Sequence, residues 1–182
     1  MTQPFERGSA AEGAGRPAVA AEAGAPGRVD ASQARRTSAA SRSVKLRRLV
    51  WAGVEMTFFR GSFHTMNGWR AMLLRLFGAR VGRKCIIRRT VRVYYPWNLS
   101  VGDGCILGDE AEVYCLGRIT IGHGAMVSQQ AYLCAGTHDY RDPALPLLTP
   151  PIAIGAEAWI CARAFIGPGV VGSFQEGSLE YL

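Results

Sequence analysis

Residues 101–133, VGDGCILGDEAEVYCLGRITIGHGAMVSQQAYL, decide the fold. Stepping by six through them lands on Val101, Leu107 and Val113, then on Ile121, Val127 and Leu133. The same beat runs upstream through Val81, Ile87 and Val93, and downstream through Ile154, Ile160 and Ile166. All twelve positions are Val, Ile or Leu, although these types make up only about a fifth of the chain. Glycine follows the first aliphatic of each block, at Gly82, Gly102, Gly122 and Gly155. Four residues after the aliphatic the side chain is small in eleven of twelve cases, among them Cys85, Cys105, Ala111, Ala125, Ala131, Thr137, Ala158 and Ala164. Trp97 is the exception.

A fixed short period of this kind is the signature of a solenoid. Three short strands per coil make a triangular prism, with one aliphatic per hexad pointing inward and stacking on its counterpart one coil away. Corners call for glycine or tolerant residues, and a narrow interior restricts the second inward position to small side chains. Cys85 and Cys105 are read as small core residues on this basis. Such prisms wind left-handed, against the usual right-handed crossover. The fold expected is an all-β solenoid, a left-handed parallel β-helix over residues 79–171.

Outside the repeat the composition changes. The 182 residues carry a formal charge of +7, split between +13 over residues 1–92 and −6 over residues 93–182. That asymmetry argues against a nucleic-acid-binding domain and leaves the basic half free to meet an anionic membrane surface or simply to stay solvated. Residues 1–43, rich in Ala, Gly, Ser, Pro and Arg, are expected to be a disordered tail. Five cysteines, Cys85, Cys105, Cys115, Cys134 and Cys161, form no C-x-x-C pair, which makes reduced thiols the expectation and zinc or redox work not. The front lacks a secretory apolar core and no apolar run is long enough to span a bilayer, so a cytoplasmic protein, peripheral to the membrane at most, is expected.

Residues 44–78 read as a helical segment. Leu46, Leu49, Val50, Val54, Phe58 and Phe59 recur at helical spacing with Lys45, Arg47 and Arg48 between them. A second amphipathic stretch, Trp69 to Phe77, carries Arg70 and Arg75 interleaved with its apolar positions and stops at Gly78. Two readings stay open here: a membrane-surface or partner-binding pair of helices, and a cap over the open end of the repeat stack.

The beat breaks once. From Leu133 to Ile154 the chain takes 21 residues where 6 would serve, so about 15 leave the prism, running through His138-Asp139-Tyr140-Arg141-Asp142-Pro143. Long excursions from a regular scaffold are where function concentrates.

Residues 44–171 resemble the hexapeptide-repeat acetyltransferases of exopolysaccharide synthesis, of the colanic-acid type. The stretches that carry the resemblance are KLRRLVW (45–51), GWRAMLLRLFGARVG (68–82), VYYPWNLSVGDGCILGD (93–109), ITIGHGAMVSQQAYLCAGTHDYRDPALPLLTPPIAIGAEAWI (119–160) and AFIGPGV (164–170). The GTHDY loop is far more specific than the hexads, which many functions share. The resemblance implies transfer of an acetyl group from acetyl-CoA to a sugar hydroxyl, with His138 as general base. It implies a homotrimer with acetyl-CoA in the groove between prisms, against Trp159 and Ala162. It also implies a saccharide or lipid-linked saccharide acceptor near Tyr114, Cys115, Asp139 and Tyr140, and no metal. Cys115 stands where related enzymes often have Asn.

After Val170 the family continues with a further coil, whereas this chain reads VGSFQEGSLEYL, and residues 172–182 are expected to be a divergent tail. The competing expectation is therefore a shortened, non-catalytic β-helix that acts only in assembly. A zinc carbonic anhydrase on the same scaffold would need three histidine ligands, and only His64, His123 and His138 exist to supply them. No glycine-rich strand–helix motif supports phosphate chemistry.

Overall fold

Every aliphatic of the six-residue register lies on a short strand, and the strands stack by parallel pairing into three walls. The computed structural model describes residues 42–172; the expectations for residues 1–41 and 173–182 lie outside the described residues. One wall contains β1 (Arg80–Val81), β4 (Leu99–Val101), β7 (Ile119–Ile121), β12 (Ile152–Ile154) and β15 (Val171–Gly172). The second contains β2 (Ile86–Ile87), β5 (Ile106–Leu107), β8 (Met126–Val127) and β13 (Trp159–Ile160), and the third β3 (Arg92–Val93), β6 (Glu112–Tyr114), β9 (Tyr132–Cys134) and β14 (Phe165–Ile166). Val81 pairs with Val101, and Val101 with Ile121, so the first two coils take 20 residues each rather than three hexads, whereas the last, from Ile154 to Gly172, takes 18. The surplus sits at the corner between third and first walls, and it brings a second inward row, Leu99, Ile119 and Ile152, each at most 1% exposed.

The small interior positions behave as the narrow prism demands: Cys105, Ala111, Ala125 and Ala131 are fully buried, and Cys85 nearly so. Thr137 does not. It is exposed on β10 (Thr137–His138), which pairs antiparallel with β11 (Leu147–Leu148) in a hairpin outside the walls. The hexad register had already ended at Leu133, and buried Ala135 turns the corner instead.

The repeated glycines do not serve the corners' left-handed backbone. That conformation is held by Lys84, Gly104, Gly124 and Glu157 at one corner and by Glu110, Gln130 and Arg163 at another. Gly102 is required by close stacking: a Cβ there would sit 2.6 Å from the His123 nitrogen one coil away. At Gly122 a Cβ would collide with the backbone of Ala156.

The first coil is covered by α1 (Arg42–Val54), which runs into a π-helical turn (Glu55–Phe59), and by α2 (Asn67–Leu76). Helix α2 ends as Gly78 predicts. With φ +94°, Gly78 lets its own N–H reach Arg75 O at 2.9 Å while Ala79 N–H reaches Leu74 O at 3.0 Å. Leu73 and Leu74 pack down against the prism, and Trp51 contacts the Phe59 and Phe77 rings while donating its indole N–H to Val93 O. Each large side chain buried this way contributes roughly 2 kcal/mol.

Arg70 corrects the amphipathic reading of α2. It does not face solvent but is fully buried, with all its N–H groups directed at acceptors. Nε donates to Ile87 O at 2.6 Å, Nη1 to Ser62 Oγ and Phe63 O at 2.7 Å, and Nη2 to His64 O at 2.7 Å and Asn67 Oδ1 at 2.9 Å. No carboxylate is involved; five oxygen dipoles satisfy one guanidinium and fasten the cap to the first coil. The YPWN turn does similar work from the prism side. Arg47 stacks 4.4 Å over Trp97, Arg48 lies 5.5 Å from Tyr95, and Asn98 Nδ2 donates to Cys115 O and Leu116 O one coil below.

Candidate active site

The excursion between β9 and β12 is built to hold one side chain. Asp142 and Pro143 start a turn in which Leu145 N–H reaches Asp142 O and Ala144 N–H reaches Asp142 Oδ1, both at 2.8 Å. The turn places Leu145 in the left-handed region at φ +47°, a conformation a leucine adopts only under constraint from its surroundings. Its carbonyl thereby points at His138, whose Nδ1 lies 2.7 Å away. A carbonyl has no proton to give, so Nδ1 carries the hydrogen, and in the neutral ring the lone pair is left on Nε2. His138 itself is exposed on the hairpin. It can therefore accept a proton from a group that reaches it, in an orientation set by backbone alone.

Around this corner the structure gathers several of the expected residues. Asp139 is partly buried; its N–H donates to Pro146 O at 3.0 Å and its Oδ1 accepts from Arg141 N, so it braces the hairpin. Tyr140 is 80% exposed with the Arg141 guanidinium over its ring. Tyr114 ends β6 and lies under Gly136, where an added Cβ would come within 3.3 Å of its ring. It packs edge-on against Tyr94 and Tyr95, and burial pushes its phenol above the ordinary value.

Cys115 is a correction. Its side chain is fully buried and its Sγ lies against Val113 O at 3.5 Å, so it turns into the prism and offers nothing to an acceptor. Burial also drives the thiol well above the ordinary cysteine range, which makes it inert as a nucleophile. It occupies the same kind of corner position as buried Ala135 one coil on.

Trp159 and Ala162 stand elsewhere on the prism. Trp159 is 65% exposed on the outer side of the second wall, its indole N–H donating to Ser128 Oγ at 2.7 Å. It extends an outer ladder of Ile86, Ile106 and Met126. Ala162 follows at the corner between second and third walls, in a shallow cleft of about 520 Å³ with Gln129, Gln130 and Arg163. His138 occupies the corner between third and first walls, so a single chain does not bring it onto the Trp159 wall. The other two histidines are apart again: His123 lines a cleft with Arg83 and Asp103, and His64 lies in the loop before α2. Among the described residues, no three His, Cys, Asp or Glu side chains are grouped to hold a metal ion, and no helix is long and apolar enough to cross a membrane.

Sequence reasoning missed Leu145. Its role lies in a carbonyl and a positive φ, and the only signal was Asp142-Pro143, a turn-forming pair.

No family model matches the chain. Among individual proteins, the colanic acid biosynthesis acetyltransferases assigned as WcaF in Escherichia coli (strain K12) and in Shigella flexneri are each 42% identical over 121 residues. The match covers 66% of this chain and 66% of each relative, so the chain spans just under two thirds of their length. Three solved structures share the fold. A maltose O-acetyltransferase from Clostridium difficile 630 superimposes with TM-score 0.63 at 20% identity over 71% of this chain and 70% of its own. A galactoside acetyltransferase in complex with coenzyme A gives 0.64 at 20% identity over 77% and 72%. A hexapeptide-repeat-containing acetyltransferase from Vibrio cholerae gives 0.57 at 17% identity over 71% and 86%. In its stacked hexads and in the 42% identical stretch, the chain is thus similar to the colanic acid biosynthesis acetyltransferases and shares its fold with the three acetyltransferases of known structure.

Proposed function

We propose that this protein is an O-acetyltransferase that moves an acetyl group from acetyl-CoA to a sugar hydroxyl in exopolysaccharide biosynthesis, on a prism that winds left-handed. The observation that carries the reading is the 2.7 Å contact from His138 Nδ1 to Leu145 O, which leaves Nε2 as the accepting nitrogen. An alcohol attacks a thioester poorly until its proton is removed. Nε2 takes that proton as the hydroxyl oxygen bonds to the thioester carbonyl carbon, and the developing imidazolium is stabilised by its Nδ1–H···O=C bond. Collapse of the tetrahedral intermediate breaks the carbon–sulfur bond, and the departing thiolate recovers the proton from Nε2. An acetyl ester and free CoA result, with no net change at His138.

Acetyl-CoA is read as lying between copies in a homotrimer. One chain holds Trp159 and Ala162 on a different part of the prism from His138, and the outer ladder of exposed Ile86, half-buried Ile106, exposed Met126 and exposed Trp159 supports contact with a neighbour's surface. The site would then combine the histidine of one copy with the tryptophan wall of the next. Tyr114 and Tyr140 remain as aromatic surfaces for the saccharide, and Asp139 acts by bracing the hairpin.

The test is calorimetric binding of acetyl-CoA to the purified chain, followed by turnover with saccharide acceptors. His138→Ala should keep its affinity for acetyl-CoA while kcat falls by about 10²- to 10⁴-fold. A folded chain that binds no acetyl-CoA would sink the reading and leave a role in assembly alone.

A further inference from the structure

Each helix of the cap is apolar on two opposite faces, and the prism uses only one of them. On α1 the inward residue is Trp51; at about 100° per residue, Leu46, Leu49 and Gly53 stand roughly 140–160° away from it, with Arg42 opposite at the helix start and Lys45 at their edge. On α2, measured from buried Leu74, the residues Trp69, Met72 and Leu76 stand roughly 140–160° away. Leu49 and Leu76 are 70% and 76% exposed, and Phe58 and Phe63, in the connection between the helices, are 62% and 77% exposed. The indole of Trp69 donates to Phe58 O at 3.1 Å, which joins the outward face of α2 to that connection. Capping the first coil requires Trp51, Phe59, Ala71, Leu73 and Leu74; it does not require the outward set.

The exposed charges of the cap itself are basic, among them Arg42, Lys45, Arg47, Arg48 and Arg60, against a single acid, Glu55, whereas Arg70 is buried and Arg83, Arg88 and Arg92 face Asp103, Asp109 and Glu112 on the prism. Glu55 is engaged, with its Oε1 accepting from Val93 N–H. A second copy of the chain docked symmetrically on this face would bring the same cations against themselves. Residues 1–41 are an unsuitable cover, with no Leu or Ile and nearly balanced charge. A surface that is apolar at its centre, cationic around it and carries an indole suits the headgroup boundary of an anionic bilayer.

We propose that the outward face of the cap lies in the interface of an anionic membrane, with Leu46, Leu49, Phe58, Phe63, Trp69 and Leu76 below the headgroups and the basic residues among the lipid phosphates. The association is interfacial, and it stands independently of the acetyl-transfer reading because it is read by partitioning and not by turnover.

The experiment is co-sedimentation of the full chain with vesicles of phosphatidylcholine alone, or of phosphatidylcholine with phosphatidylglycerol. Strong partitioning is expected only with phosphatidylglycerol, weakening as salt screens the headgroup charge. The triple substitution Leu46→Glu, Leu49→Glu, Leu76→Glu changes exposed positions and leaves residues 1–41 intact. It should keep the wild-type melting temperature and lose about tenfold or more in partitioning. Three results would overturn the proposal: a folded chain that stays in solution, equal binding to neutral vesicles, or a triple variant that binds as wild type does. Self-association that the triple variant abolishes, without vesicle binding in the parent, would assign the face to a protein partner instead.

Discussion

In the first coil Ile87 and Val93 are 0% and 1% exposed; in the fourth, Ile160 and Ile166 occupy the same register positions and are only partly buried. Side-chain chemistry does not explain the difference. The first coil has a further coil below it and the helical cap above, whereas β13 and β14 edge their sheets among the described residues. Their outward neighbours, Trp159 and Phe165, are likewise exposed at 65% and 63%. A hexad thus determines which way a side chain points. How much water it sheds depends on what is stacked above it, as in any linear repeat whose stability is the sum of neighbour contacts.

The largest expected effect lies at the fastening that makes the first coil different. Arg70→Ala removes one guanidinium from five acceptors, of which Ile87 O and Ser62 Oγ belong to buried residues, while Phe63 O retains Met66 N–H and Asn67 Oδ1 retains Ile87 N–H. A loss of about 3–5 kcal/mol in urea unfolding is expected. A loss below about 1 kcal/mol would mean the apolar contacts of the cap suffice without it.

A matched pair of truncations addresses the comparison itself. Ile87→Ala should cost about 3 kcal/mol, because a fully enclosed site retains the cavity, while Ile160→Ala should cost nearer 1 kcal/mol. Equal losses would show that the fourth coil is as well covered as the first.

The smallest effect is a pH dependence at the cap. Burial raises Glu55 above the ordinary glutamate value of 4.5, against opposing pulls from Val93 N–H and Arg92. As pH rises the unfolded glutamate ionises first, so the folded state loses stability from the unfolded value upward, and the cost is complete above the folded one. Glu55→Gln keeps an oxygen for the Val93 N–H and removes that cost. The variant should melt slightly higher at pH 7, with the gap closing by about pH 3.5. A gap that widens on acidification would show that the carboxylate charge stabilises the cap.

The excursion teaches a related lesson about the site. The break in the beat after Leu133 and the GTHDY stretch were enough to single out His138. They were not enough to place Cys115, which is inside the wall, or Thr137, which is outside it. At a corner a shift of one residue exchanges inside for outside, since alternate strand residues face opposite ways. Nor does a pattern of side chains identify a backbone carbonyl as a partner, which is how Leu145 acts.

By itself the sequence determined the prism, its inward aliphatic rows, the helical character of the segment before it and the loop that carries the histidine. These follow from periodicity, which is a local property of side-chain order. Only the tertiary structure decided that the glycines serve close stacking, that Arg70 is buried, that α1 and α2 keep an unused apolar face, and that His138 and Trp159 lie on different parts of one chain. Each of these depends on what approaches a residue from a distant part of the chain, and the hexads do not encode that distance.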